Sequence, residues 1–270
     1  MTASYALLGR RALVAVTGPD WRVFLQGLIS NDVETLQPGS LRFAGLLSPQ
    51  GRLLFDLFVA GNDAGCLLDV EAARREALVQ RLLIYRLRAR VEITAVDGRV
   101  CALWDTSRPP PDWMADPRLE TLGFRGADLP PPAGSEVLGE EAYDAFRLAQ
   151  GAPDPARDAT PDRTYPIEAD MDLLNGIDFR KGCFVGQETT SRMKRRGGIR
   201  SRMLPIVFEG APPAFGTEVL AGELRAGEVL TGREGRAMAL LRLDRIEGAE
   251  LTAQGRPVQV ERPVWLETGG

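Results

Sequence analysis

Three extended runs, Leu41 to Leu47, Arg52 to Ala60 and Cys66 to Leu68, are parted only by Ser48-Pro49-Gln50-Gly51 and Gly61-Asn62-Asp63-Ala64-Gly65. A parallel crossover needs a dozen or more residues, so connections this short leave an antiparallel meander as the only arrangement. Arg11 to Val16 reads as a buried strand beside it. The turn Thr17-Gly18-Pro19-Asp20 follows, with Asp20 as an N-cap. Trp21, Phe24, Leu25 and Leu28 then recur at helical spacing and form a core-facing stripe. Asp69 is expected to cap a helix from about Val70 to Tyr85. The alternation of Leu87, Ala89, Val91 and Ile93 with Arg88, Arg90, Glu92 and Thr94 predicts a strand with one wet face, and the arginines of 81–90 a solvated surface.

Arg99 to Trp104 reads as a further strand. Pro109 to Pro132 is broken by prolines and glycines and is expected to be a long loop. Glu140 to Gln150 predicts a helix packing Tyr143 and Phe146 and stopped by Gly151. From Arg202 onward short β segments alternate with Gly and Pro turns over about seventy residues, which suits a small β-barrel or sandwich. The boundary falls near Gly197-Gly198. The expected division is a body over 1–197, in two lobes of roughly 1–95 and 96–197, and a β-domain over 198–270.

Composition removes several function classes. Histidine is absent, which rules out Ser-His-Asp and Cys-His catalysis and histidine-ligated metals. Three cysteines, Cys66, Cys101 and Cys183, lie far apart with no CxxC pair. They suit neither a disulfide framework nor a cysteine zinc site, so no metal ligands are expected and a cytoplasmic setting is. No apolar run reaches membrane-spanning length, and the first eight residues lack a signal-peptide pattern. The net charge of −4 confines any nucleic-acid contact to a local patch. The candidate patch is the run Arg192, Lys194, Arg195, Arg196, Arg200 and Arg202. It is not interleaved with aromatic residues, which disfavours nucleic acid.

The stretch Phe179-Arg180-Lys181-Gly182-Cys183-Phe184-Val185-Gly186-Gln187-Glu188 mixes glycines, cations, an amide, a carboxylate and a thiol as no plain core segment does. Gly186 is placed to precede a helix from Gln187 to Arg196. A helix N-terminus and the cations Arg180 and Lys181 would both favour a thiolate at Cys183. Cys66 and Cys101, set among Leu67, Leu68, Val100 and Leu103, read instead as small core residues. A second polar cluster, Gln26, Ser30, Asn31 and Asp32, falls where the first helix ends, a place suited to ligand-facing groups.

Lys-Gly-Cys-Phe-Val-Gly-Gln-Glu at 181–188 resembles the signature of the YgfZ family, folate-binding iron–sulfur-cluster assembly proteins within the glycine-cleavage T-protein (aminomethyltransferase) superfamily. The turn Pro49-Gln50-Gly51-Arg52, the element Arg147, Gly151, Pro153, and the order Pro166, Glu168, Asp172 are similar to that family as well. So is the segment from Thr17 to Val33, where Ser30 stands in a position usually held by threonine. The resemblance covers nearly the whole chain. It implies an α+β, T-protein-like fold of two lobes with a C-terminal β-barrel around a central cavity.

The same resemblance implies tetrahydrofolate as cofactor, with Cys183 beside it. Lys181 would stabilise charge, Gln187 would fix the thiol loop, and Glu188 would take a proton or cap the helix; these four form the catalytic set. Gln26, Asn31, Asp32, Arg147, Glu168 and Arg180 are the residues expected to hold the folate. The implied function is an accessory role in iron–sulfur cluster assembly or repair, with iron–sulfur proteins or assembly factors as partners. A tetrahydrofolate-dependent aminomethyltransferase or methyltransferase is the alternative, and a non-enzymatic RNA- or partner-binding protein a third. Turnover itself is left open.

Overall fold

The computed structural model describes residues 2–268. In chain order the first elements are β1 (Ser4–Leu7), β2 (Arg11–Thr17), α1 (Trp21–Gln26), β3 (Leu41–Leu47), β4 (Leu53–Gly61), β5 (Gly65–Glu71), α2 (Arg75–Arg86) and β6 (Glu92–Val96). Next come β7 (Val100–Trp104), β8 (Met114–Ala115), β9 (Phe124–Ala127), β10 (Glu136–Leu138), α3 (Glu140–Ala149) and α4 (Pro155–Asp158). A segment of turns leads to α5 (Gln187–Arg196). The chain then runs through β11 (Ser201–Val207), β12 (Glu218–Ala221), β13 (Leu224–Arg233), β14 (Arg236–Arg242), α6 (Leu243–Ile246), β15 (Leu251–Ala253), β16 (Arg256–Val260) and α7 (Val264–Thr268).

The meander is antiparallel, and its strands lie in the order β3-β4-β5-β2-β6. A second five-stranded sheet runs β10-β1-β7-β9-β8, so the first strand of the chain enters a sheet built otherwise from residues 100–138. The strands β11-β14-β13-β12-β15-β16 close into a barrel. The fold is mixed α+β with a C-terminal six-stranded barrel.

β4 is buried along nearly its whole length because the first sheet is covered on both faces. On one face Trp21, Phe24 and Leu25 of α1 and Leu78 and Leu82 of α2 pack on Val14, Val16, Leu57 and Leu68. On the other, Phe43, Leu47 and Phe58 meet Ile167, Met171, Ile177 and Phe184, together with Met203, Leu230 and Met238 of the barrel. Each of these side chains contributes roughly 1.5–3 kcal/mol by leaving water, and this shared core fixes the segment 166–185 between sheet and barrel.

Several local expectations give way to long-range partners. Asp69 does not cap a helix: β5 continues to Glu71, and the Asp69 carboxylate accepts from Arg11 Nε at 2.6 Å and from Arg125 at 2.6 Å. Asp56 takes the other arm of Arg11 at 2.8 Å, and Arg118 pairs with Asp116 at 2.8 Å. Arg125 also lies over the Phe58 ring, 3.9 Å from its centroid. Charged side chains, mutually paired, thus occupy the space between the two sheets. Asp20 makes no side-chain cap bond; it pairs with Arg90, 70 residues further along the chain. The helix expected to end at Tyr85 runs to Arg86, where Leu87 turns with φ 42°, and the next strand begins only at Glu92. The expected loop at 109–132 contains the short strands β8 and β9.

Candidate functional site

The thiol loop is built by its attachments. Asp178 N–H donates to the Ser30 carbonyl at 3.0 Å, and Val185 N–H to the Gly27 carbonyl at 3.2 Å. Between them Lys181 is buried, at 8% exposure, and its ammonium donates to the carbonyls of Gln26, Ile29 and Asn31 at 2.8, 2.6 and 2.8 Å. Those carbonyls belong to α1's last residue and the turn after it, where a cation suits the negative end of the helix. Burial pushes Lys181 down to about 8, against the opposing pull of Asp32, Asp178 and Glu34. Phe184 is buried, whereas Gly182 and Cys183 are exposed. Gly186 takes φ 81° at the N-cap of α5, and a Cβ there would lie 2.6 Å from the Ser48 carbonyl oxygen. That contact requires glycine and fixes where the helix begins. Cys66 and Cys101 are buried, and burial pushes the Cys66 thiol up to about 12 and raises that of Cys101.

The cluster at 26–32 is largely satisfied from within. Gln26 donates to Asp32 at 2.7 Å and accepts from Val33 N–H. The Asn31 amide donates to the carbonyls of Phe43 and Asn175 and accepts from Asp32 N–H. Asp32 also accepts from Thr35, and although burial works against its ionisation, the bonds from Thr35 and Gln26 lower its pKa. These groups shape the turn that receives Lys181.

Beside the loop lies a groove of about 770 Å³, lined by Asn31, Ser40, Arg42, Asn175, Asp178 and Arg180 among others. Of the ten residues singled out from sequence, Asn31 and Arg180 line it, and Lys181 is tied to Asn31. Gln26 and Asp32 stand behind Asn31 in the turn. Gln187 and Glu188 form the first turn of α5, and Glu188 makes no capping bond. Arg147, at 2% exposure, is enclosed by Asp144, Asp158 and Thr231 at the junction with the barrel. Glu168 closes a turn by accepting from Tyr165 N–H at 2.8 Å, and its burial raises its pKa. Arg42, Asn175 and Asp178 were missed by the sequence reading; the turn-forming pair Asn175-Gly176 just before the motif was the available signal.

The basic run is divided by the fold. Arg202 is buried against Asp170 and Asp172 at 2.7 and 2.9 Å, and Lys194 pairs with Asp172 at 3.3 Å. Arg192, Arg195 and Arg200 remain exposed, while the side chain of Arg196 lies outside the described residues. Among the described residues no group of acidic or cysteine side chains is placed to hold a metal, and no helix is long and apolar enough to cross a membrane.

Comparison with known proteins adds relatives to this geometry. The family model of the CAF17 C-terminal β-barrel domain matches residues 200–268. The iron–sulfur cluster assembly factor IBA57 homologue of Mycosarcoma maydis is 34% identical over 78% of this chain and 59% of its own length. The IBA57 of Mus musculus is 31% identical over 89% of this chain and 78% of its own. The chain thus spans about three fifths of the fungal relative's length. Aminomethyltransferase T of the Bartonella henselae glycine cleavage system superposes with a TM-score of 0.78, covering 98% of this chain and 87% of that one at 20% identity. That likeness establishes the T-protein fold. Both IBA57 relatives are named as mitochondrial proteins, which overturns the cytoplasmic setting expected from the cysteine usage.

Proposed function

The chain belongs to the family of the IBA57 iron–sulfur cluster assembly factors, and from that premise we propose that it is an accessory protein in cluster assembly or repair, with Cys183 as its working thiol. The observation that carries this reading is the presentation of Cys183. It is exposed while Cys66 and Cys101 are buried, on a loop tied down on both sides. Deprotonated, its Sγ can donate an electron pair to one iron of a cluster. Clusters take four such ligands as a rule, so the remainder come from the protein that carries the cluster, and the contact is shared or transient. The YgfZ-like motif belongs to the same reading.

Tetrahydrofolate is the cofactor that the fold family implies, and the groove fits it. About 770 Å³ is within the usual size of a small-molecule pocket. Arg42 and Arg180 offer cations to glutamyl carboxylates, and Ile177 and Phe179 offer apolar surface to the rings. Bound tetrahydrofolate supplies a carrier for one-carbon units. The transferase alternative requires a carboxylate free at the reacting carbon, and both Asp32 and Glu168 are engaged in turns.

Restoration of iron–sulfur enzyme activity in cells lacking this protein tests the thiol: wild type should restore it and Cys183→Ala should not. Full restoration by Cys183→Ala would end this reading. Folate is tested separately, since ligand at about a hundred times Kd adds about 2.7 kcal/mol to stability. No rise in Tm with tetrahydrofolate would remove the cofactor.

A further inference from the structure

Lys181 looks, from its place two residues before Cys183, like a charge that activates the thiol. Its geometry says otherwise. An ammonium has three N–H donors, and here each has a carbonyl acceptor: Gln26, Ile29 and Asn31. No donor is left for a ligand or a substrate. The three acceptors lie at the end of α1 and in the turn after it, which is held in turn by the bonds of Gln26, Asn31 and Asp32. The Lys181 Nζ also stands 5.2 Å from the centroid of the buried Phe184 ring, so the residues before and after the exposed pair Gly182-Cys183 are both held down. Four residues beyond Lys181, Val185 N–H completes the attachment at Gly27.

We propose that Lys181 is a positioning residue: its ammonium, sealed against three converging carbonyls, pins the thiol loop to the end of α1 and sets the place at which Cys183 is presented. The proposal rests on the reading of Cys183 as the working thiol, but its geometry can be tested without any cluster. Lysine is required rather than arginine. A point cation with three rotatable donors satisfies three converging oxygens, whereas a planar guanidinium distributes its donors in a fork.

The test is hydrogen exchange of the full-length protein, followed by mass spectrometry, on Lys181→Ala and Lys181→Met. Peptides covering 182–186 should exchange about tenfold faster or more in both variants, because charge-assisted bonds that hold the loop closed are gone. Barrel peptides should be unaffected. The alanine variant leaves a channel where the side chain lay, so ethylammonium, which carries three N–H donors, should restore slow exchange. Tetramethylammonium, a cation without donors, should not. Lys181→Met fills the channel and should resist rescue, and it keeps the apolar stem packed should the alanine variant fail to fold.

Exchange at 182–186 within twofold of wild type in the folded variants would overturn the proposal. So would equal rescue by tetramethylammonium, or slower alkylation of Cys183 with exchange unchanged, which is the mark of a purely electrostatic role. If the loop loosens and is rescued as described while Cys183→Ala restores cells fully, the clamp stands and the functional reading of the thiol falls.

Discussion

Replacing Arg147 by methionine separates a structural cation from a ligand-binding one. The guanidinium is 2% exposed and joins three elements: Nε donates to Asp144 of α3 at 2.7 Å, one terminal nitrogen to Asp158 of α4 at 2.7 Å, and the other to Thr231 of β13 at 3.1 Å. Removing one member of a buried pair costs about 3–5 kcal/mol, because the partner charge stays behind without compensation. Here the lower end applies. Asp144 keeps Arg157 and Arg233, and Asp158 keeps Thr231 and the Asp154 N–H. An unfolding entropy of roughly 2.1 cal/mol/K per residue over 270 residues gives roughly 0.57 kcal/mol/K, so about 3 kcal/mol corresponds to a fall of about 5 °C in Tm.

Differential scanning calorimetry reads this directly. Arg147→Met combined with Asp158→Asn should recover part of the loss, since the charge left unpaired is then gone. An unchanged Tm in Arg147→Met together with lost tetrahydrofolate binding would refute the argument and return Arg147 to the ligand.

Burial works against ionisation of Asp144, yet Arg147 and Arg157 outweigh it and hold the carboxyl at about 2, below its ordinary 3.8. Its contribution is therefore complete above pH 4 and is lost as pH falls through about 2. The Tm gap between wild type and Asp144→Asn should be constant from pH 5 upward and shrink from pH 4 to 2; a gap that widens on acidification would contradict the pairing. An alkylating reagent should modify Cys183 first in the folded protein, since Cys66 and Cys101 are buried with raised pKa values; peptide mapping that finds either of those two first would reverse the assignment. Gly186→Ala should cost at least about 2 kcal/mol, from a left-handed backbone and a Cβ 2.6 Å from the Ser48 oxygen, read as a fall of about 3–4 °C in Tm. An alanine variant as stable as wild type would mean that the start of α5 can shift.

What the sequence made legible was local. Turns too short for a crossover forced the meander, and Gly186 marked the start of α5 at Gln187. Apolar neighbours marked Cys66 and Cys101 as core. What it hid was partnership at a distance. Asp69 has the pattern of an N-cap, but Arg125, 56 residues away, claims its carboxylate. The ties that hold the turn of Gln26, Asn31 and Asp32 in place are also partly remote, although Gln26 and Asp32 bond each other within it and Asn31 lines the groove. Asn175 lies 144 residues from Asn31, and Lys181 lies 155 from Gln26. Periodicity likewise could not place β1 in the second sheet, where it pairs in parallel with β10.

A motif crowded with polar residues therefore need not be a crowd of reacting groups. Lys181 is saturated by carbonyls, Phe184 is buried in the core, and Gly186 occupies a space that no Cβ could share. Each of these restrains the loop, and the thiol of Cys183 is left exposed on it. The arrangement suits the chemistry proposed for that thiol. A single thiolate is a weak claimant on a cluster that other ligands hold, and a floppy one would lose further affinity to the entropy of being ordered on contact. Holding the loop in advance removes that cost from the encounter. If Cys183 meets iron as proposed, the stability of the loop and the strength of that contact should rise and fall together, with Lys181 as the residue that joins them.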